Sequence, residues 1–535
     1  MEKNVKGIAG LEHGTYTQYG AAERFLEYVG DNYKFCTDTK VWMQYDEETG
    51  LWSEITEEVM AHVLIDIGHW IAADAINLEG SDRQNAAMDF AGKFFTKYFC
   101  SNVLYFCKGI KEKDDKDENG NVVVKNNKIV IPCLFDDFDA NPEILGMANG
   151  KAYDLVNGKV IDGCREFMLT KRINGNVKDE ISDKFLTFIH TMFPDVEVCD
   201  YVQKFLGSSL LGFRLRNPDD KNALFIDSTV PDTGKSSLLT LLENALGEYY
   251  EVADSSVLTT RRKDSNAASP ALAALRGCRF VGISECPPGL TFEADDTFKQ
   301  LTGNDTISVR DLFGRQFKYK PNFKLMLVSN HLPRPKNVDD TAFRKRFRRY
   351  SSDHGLSYQD ETVMKKVFTQ DFLDDFVTWL IDGCRKYQEA GRLDNYRGKD
   401  IMNSDLPEKM KKDMANYFQE SDDLGDFFTT YYKVTGNDHD FVPWRVMWEL
   451  WTEHSGERIG QTVFAKMCKD GFVKRYKLTI KKARFDYTDK KKGETYRMMG
   501  WGVAGVATYS AADTVENAKI RKSGRIVPVP SVTAS

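Results

Sequence analysis

From about residue 200 onward the chain predicts a parallel α/β core, with a mostly helical region before it and a small helix–helix–strand unit after it. Three observations carry this. Short apolar runs of strand length, NALFID, CRFVGIS, TISVR and FKLMLVSN, recur through residues 222–330. Loops and helical patterns separate them, the order expected of a parallel sheet with crossover helices. On either side, residues 57–100 and 356–415 carry helical spacing instead.

Composition sets the outer bounds. A chain of 535 residues implies about two to four domains and a sizeable core. Apolar residues make up 41% and charged residues 29%, an ordinary balance for a soluble globular protein. No apolar run is long enough to span a bilayer, and MEKNVKGIAGLEHG lacks the apolar stretch of a secretory signal. Ten cysteines occur without a CxxC pair, which argues against a zinc ribbon and suits reduced thiols in a cytoplasm. The net charge is −7, but it is unevenly placed. Arg310–Arg349 holds twelve Lys/Arg against three Asp, and Lys474–Lys492 holds nine against two. Such blocks are solvated faces or polyanion contacts.

Along the chain, AAERFLEYVGDNY has helical spacing, and VWMQYDEETGLWSEI reads as two strands about a Glu-Thr-Gly turn. The charged, Asn/Gly-rich stretch at 109–128 reads as a mobile insertion. MANGKAYDLVNGKVID has Asn-Gly signals of a hairpin. KSSLLTLLENAL is an amphipathic helix stopped by Gly247. Beyond 421, Trp444, Trp448 and Trp451 fall on one helical face, as core or as a stacking platform for bases. Two helices, then a strand, a basic turn and a strand, is winged-helix grammar. Lys490 and Lys491 sit at that turn, either as a DNA contact or as a solvated tip. The tail 504–535 is expected to be disordered.

The chemistry gathers in STVPDTGKSS, residues 228–237. A phosphate loop needs a strand that ends, amides free to wrap around phosphates and a helix N-terminus behind them. NALFID, the loop and LLTLLENAL supply these in order. Asp232, Thr233, Gly234, Lys235, Ser236 and Ser237 form the candidate nucleotide contacts, with Lys235 reaching the β- and γ-phosphates of ATP and Ser236 holding Mg²⁺. Thr229 stands where the usual signature has its first glycine. Glu285, at the end of RFVGISE, is the candidate acid beside metal and water; Ser284 precedes it where a second acid is common. Asn330 ends FKLMLVSN, where an amide can orient attacking water. Arg346, in DDTAFRKRF, is placed to stabilise charge on the γ-phosphate.

The ordered set TGKSS, LRGCRFVGISE, FKQLTGNDTISVRDLFGRQFKYKPNFKLMLVSNHLPR and DDTAFRKRF resembles the superfamily 3 helicases of the AAA+ class, specifically the phage/plasmid and poxvirus-type primase–helicases. The resemblance is tight over 220–350 and looser over most of 25–503. It implies that Lys235, Glu285, Asn330 and Arg346 are catalytic, that Ser236 and Glu285 serve the metal, and that Arg346 acts on a neighbouring subunit. The family's Arg pair is Lys345-Arg346 here, with Arg344 the nearest rival. The resemblance also implies a hexameric ring on single-stranded or forked DNA, a pore hairpin carrying Arg310, Arg315 and Lys318, with Lys299 nearby, and a separate primase partner, since no primase-sized segment precedes the helical region. FDDFD mimics a metal-binding Asp pair but falls within the helical-domain likeness.

The expected organisation is therefore a helical domain at 1–200, an ATPase core at 201–355, a helical connector at 356–420, a winged-helix-like domain at 421–503 and a tail. The expected function is an ATP-dependent replicative DNA helicase of a phage or mobile element. The alternative is a nucleotide-binding scaffold or loader that turns over poorly.

Overall fold

The computed structural model describes residues 16–108, 132–162, 165–212, 220–228, 230–259, 269–292, 295–303, 305–310, 316–355, 369–392, 402, 405–456, 459–489, 492–510 and 514. The insertion expected at 109–128, Thr229, the hairpin tip with Arg315, and Lys490 and Lys491 lie outside these residues.

The first unit joins helices to a small sheet. Helix α1 (Gln18–Val29) starts at Thr17, whose side chain accepts from the Gly20 amide, an ordinary N-cap. Strands β1 (Tyr33–Cys36), β2 (Val41–Asp46) and β3 (Leu51–Ile55) form an antiparallel meander about the predicted turn. Helices α2 (Glu57–Ala75), α3 (Ser81–Lys93) and α4 (Lys97–Cys107) close over a core that includes Phe25, Phe90, Phe94 and Phe99. Strand β4 (Pro132–Cys133) adds in parallel to β1. Strands β5 (Ile144–Gly146), β6 (Ala152–Asp154) and β7 (Lys159–Ile161) make a second antiparallel sheet, with β6 and β7 the predicted hairpin. The FDDFD carboxylates are structural. Asp136 pairs with Arg276, Asp137 caps the Leu134 amide, and Asp139 accepts from the Thr170 amide.

The central sheet contains β8 (Ala223–Ser228), β9 (Tyr250–Val252), β10 (Phe280–Ser284), β13 (Lys324–Val328) and β14 (Phe347–Ser352) in the order β14-β8-β13-β10-β9. Every neighbouring pair is parallel. Strands β11 (Ile307–Arg310) and β12 (Gln316–Tyr319) form a separate antiparallel hairpin. Alternation along β8 and β13 explains the stability of the layer. Leu224, Ile226, Met326 and Val328 face one apolar cluster; Ala223, Phe225, Leu325 and Leu327 face another. Both faces of the sheet are thus buried, as parallel sheets require.

Helices α5 (Asp183–Met192), α6 (Val196–Ser208) and α7 (Lys235–Leu246) cover the first face. On the second face lie α8 (Ser256–Thr259), α9 (Pro270–Ala273), α10 (Asp295–Thr302) and α11 (Thr341–Arg346). The boundary expected at 200 falls within α6, so this packing unit begins upstream, at α5. Nor is 356–420 only a link. Its helix α12 (Gln370–Arg392) shares the first-face core with α6, and α13 (Glu408–Glu420) is tied to β14, where the Asp413 carboxylate accepts from the Ser351 amide at 2.9 Å.

The C-terminal unit holds α14 (Asp423–Tyr431), β15 (Tyr432–Val434), β16 (Phe441–Pro443), α15 (Trp444–Ser455), α16 (Gln461–Cys468), β17 (Thr479–Thr488), β18 (Thr495–Ala504) and β19 (Val506–Thr508). Strands β16, β18 and β17 form one antiparallel sheet. Trp444 and Trp451 are buried in the core, and Trp448 packs against it while donating to the Ile459 carbonyl at 2.7 Å. The core reading of the tryptophan face holds. The tail requires a correction at its start: residues 506–508 are a strand paired with β15, because Val506 completes the apolar core after a turn at Gly505. This unit is latched to the sheet domain by Arg475–Asp339 at 2.9 Å and by Arg334–Asp423 at 2.7 Å, with Arg475 also held at 2.5 Å by Asp422 within the unit. No helix among the described residues is long and apolar enough to cross a membrane.

Helices α6 and α12 approach closely at two glycines. A Cβ on Gly207 would lie 2.2 Å from the Cys384 amide nitrogen, and one on Gly383 2.2 Å from the Gln203 carbonyl oxygen. Gly207→Ala is therefore expected to lower the unfolding free energy by about 3 kcal/mol through overpacking, read as a lower urea midpoint. An unchanged midpoint contradicts the close crossing.

Candidate nucleotide site

Strand β8 ends at Asp227-Ser228, and α7 begins at Lys235. Between them Asp232 has φ +56° and Gly234 has φ +79°, both in the left-handed region. Glycine adopts that conformation without the Cβ penalty an aspartate bears. Gly234 caps α7, so the positive end of a twelve-residue helix faces the loop. Leu238, Leu239, Leu241 and Leu242 anchor the helix in the core. Thr233 is buried and its hydroxyl accepts from the Lys235 ammonium at 3.0 Å. Ser236 is exposed on the first turn and Ser237 half-buried. Burial pushes the Lys235 ammonium below the ordinary lysine range, against the opposing pull of the Asp227 and Glu285 carboxylates. Lys235, Asp227 and Glu285 thus share one electrostatic neighbourhood.

Because the strands are parallel, their carboxyl ends emerge at one edge of the sheet, where ligands of open α/β sheets bind. Glu285 follows β10 there, with φ +63°. A left-handed glutamate costs about 1–2 kcal/mol, and its neighbours hold it in place. The Glu285 amide donates to the Val328 carbonyl at 3.1 Å, and the Cys286 amide donates to the Ser329 hydroxyl at 2.9 Å. The His331 amide donates to that same hydroxyl at 3.2 Å. Buried Ser329 therefore ties the Glu285 turn to the turn containing Asn330. Asn330 is exposed and lines a cleft of ≈ 1140 Å³ with Asp227, Arg349 and Glu420.

Sequence reasoning missed the pair behind the loop. Arg349 on β14 meets the Asp227 carboxylate through Nε at 2.8 Å and Nη2 at 2.7 Å, a two-pronged contact. It also donates to the Asp413 carbonyl. Asp227 was legible only as the end of a strand, and Arg349 only as one more cation in a basic run. Ser329 had no signal beyond its place before Asn330.

Arg346 stands apart. Phe347 is in register with Ala223, and Ser352 with Ser228. Arg346 therefore lies at the amino edge of the sheet, roughly 16 Å along the strands from the loop at the carboxyl edge. One chain does not bring Arg346 to its own Lys235. Arg346 donates to the Ala342 carbonyl. Arg344 donates to the Val338 carbonyl at 2.6 Å and lies 4.3 Å over the Phe418 ring, while Lys345 is exposed. Of the DNA candidates, Lys299 is paired with Asp340, the N-cap of α11, at 2.7 Å. Arg310 and Lys318 are exposed on one face of the β11–β12 hairpin, opposite Gln316 and Ser308.

Comparison with known proteins gives the class. A family model described as "D5 N terminal like" matches residues 22–194, and a "Family of unknown function (DUF5906)" matches 226–349. Three curated relatives carry helicase names. "Putative helicase L207/L206" of Acanthamoeba polyphaga mimivirus is 26% identical over 394 residues, covering 68% of this chain and 39% of the relative. "Putative helicase 022R" of Frog virus 3 (isolate Goorha) is 34% identical over 166 residues, covering 30% and 16%. "Putative helicase V13" of Sputnik virophage is 25% identical over 229 residues, covering 40% and 28%. The chain thus spans about two fifths or less of the length of these relatives. Among solved structures, the A form apo structure of NrS-1 C terminal region-CTR is similar at 12% identity and TM-score 0.44, covering 90% of this chain and 99% of that one. The molecule is a mixed α/β protein with viral helicase-named relatives. Its residues 22–194 are similar to the D5 N-terminal-like family.

The strain at Glu285 is testable by itself. Glu285→Gly removes the Cβ penalty and is expected to raise the unfolding free energy by about 1 kcal/mol, measured by denaturant titration without nucleotide. A destabilised variant shows that the glutamate side chain holds the turn instead.

Proposed function

We propose that the chain is an ATP-dependent DNA helicase acting in replication, with an AAA+ type core and a winged-helix-like C-terminal domain. The observation that carries this reading is the single sheet edge that holds the loop before α7, Glu285 and Asn330. In this reading Asp232–Ser237 would wrap the phosphates, Lys235 would neutralise the β- and γ-oxygens, and Ser236 and Glu285 would hold Mg²⁺, which would offset charge on the phosphates. Magnesium keeps most of its shell as water and phosphate oxygen, so two protein oxygens suffice. Asn330 orients the attacking water. The Lys235 ammonium is held inside the loop by the Thr233 hydroxyl, so an arriving triphosphate meets a cation already in place.

The distance of Arg346 from its own loop favours a second copy as the source of the finger, and so a ring of subunits, hexameric by resemblance, enclosing single-stranded or forked DNA. The exposed cations Arg310 and Lys318 on the hairpin suit contact with phosphates, which positions DNA without reading its bases.

The purified chain is expected to hydrolyse ATP with Mg²⁺, faster when single-stranded DNA is present. Lys235→Ala should abolish nucleotide binding in a fluorescent-nucleotide titration. Arg346→Ala should bind normally while turnover falls by about 10³-fold. Mixing the two inactive variants should restore part of the turnover, since some interfaces then join an intact loop to an intact finger. Wild type without turnover sinks the helicase reading and leaves a nucleotide-binding scaffold. Mixed variants that stay silent sink the shared site.

A further inference from the structure

The hairpin β17–β18 leaves Met499 and Trp501 exposed although Val503, on the same face, is buried in the core. In a sheet that covers a core, large apolar side chains face inward and small or polar ones face water. Along MMGWGV, Met498, Gly500 and Gly502 share one face and Met499, Trp501 and Val503 the other; Val503 enters the core, and Met499 and Trp501 extend that face beyond it. The two glycines let the neighbouring strands approach closely. A Cβ on Gly502 would lie 2.3 Å from the Val442 carbonyl oxygen, and one on Gly500 3.0 Å from the Phe485 ring. From that side Tyr487 donates to Glu449 at 2.6 Å, and Arg445 sits 4.1 Å over the Tyr487 ring. Helix α15 therefore braces the ribbon through Tyr487, and β16 pairs beside β18, while Trp501 remains 57% and Met499 55% exposed.

Strand register gives the rest of the outer face. Lys482 is directly opposite Trp501, Arg484 opposite Met499, and Asp486 opposite Arg497. Lys482, Arg484 and Arg497 are all exposed. Three cations and one carboxylate surround an exposed indole and a thioether on a ribbon braced from behind. An aromatic plane flanked by cations matches a base with its phosphates.

We propose that this outer face, centred on Trp501 with Lys482, Arg484 and Arg497, is a stacking site for single-stranded nucleic acid. It is distinct from the expected contacts at Lys490 and Lys491 and from the Trp444–Trp451 face, which is core. Trp501 takes one base, Met499 offers an adjoining apolar contact, and the cations follow the backbone. Sequence preference is weak, because every base has a π-face. The choice of nucleic acid as ligand rests on the helicase reading; the face itself does not.

The test uses the full chain, a fluorescein-labelled oligo(dT) and anisotropy without nucleotide, at several salt concentrations. Trp501→Ala is expected to weaken binding about ten-fold and Trp501→Phe to restore most of it. Lys482→Gln with Arg484→Gln is expected to reduce the slope of log K against log salt by about 0.7 per lost phosphate contact. Equal melting temperatures exclude misfolding, since these side chains face water. Oligo(dT) affinity unchanged in Trp501→Ala overturns the proposal. If self-association or capture of a defined protein is lost instead, the face belongs to a protein partner and the proposal is equally overturned. ATP turnover separates the two readings. Wild type that hydrolyses ATP while Trp501→Ala binds DNA normally refutes this face alone; wild type that neither hydrolyses ATP nor binds DNA refutes the helicase reading with it.

Discussion

Alternate residues of β8 and β13 enter two different apolar clusters, so the central sheet has no free face. This two-sided burial governs the rest of the molecule. It demands a helical layer on each side, and it explains why segments far apart in the chain, α5 and α6 before the sheet and α12 after it, are packed as one. It also confines polar chemistry to the strand ends. A carboxylate inside β8 would be stranded in hydrocarbon at a cost of several kcal/mol, whereas Asp227, near its end, has the Arg349 guanidinium across the strand boundary. The candidate site is a consequence of where polar groups are tolerated.

At that edge, positions are held by contacts between strand ends. Ser329 joins two turns through one hydroxyl, and the Asp227–Arg349 pair joins the loop strand to the edge strand. Removing one member of such a buried pair costs more than the pair contributes, because a charge is left behind without its partner. Lys235 sits among these groups with its proton loosened by burial, a condition that an incoming polyanion would reverse.

The sequence disclosed those parts of the fold that depend on local periodicity. The apolar runs NALFID, CRFVGIS and FKLMLVSN became neighbouring parallel strands, and Gly234 took the left-handed conformation that a glycine before a helix suggests. The β2–β3 and β6–β7 hairpins followed from their turn residues, and the tryptophan face from its spacing. What could not be read depends on long-range register. Nothing local distinguishes Arg349 from its neighbours in RKRFRR; only the pairing of β14 with β8 sets it against Asp227. The strand at 506–508 has the composition of a tail and is ordered by a partner more than seventy residues earlier. The hairpin at 479–504 was legible as strands, but the exposure of Trp501 was not, since alternation alone does not say where along a face the core ends.

Asp339 and Asp340 are adjacent in the chain, yet they belong to different partners. Asp340 caps α11 and holds Lys299 of α10, while Asp339 is gripped by Arg475 of the C-terminal unit. A single peptide unit therefore separates an anchor in the sheet domain from an anchor outside it. Arg475 thus ties the C-terminal unit to the residue just before the cap of the helix that carries Arg346.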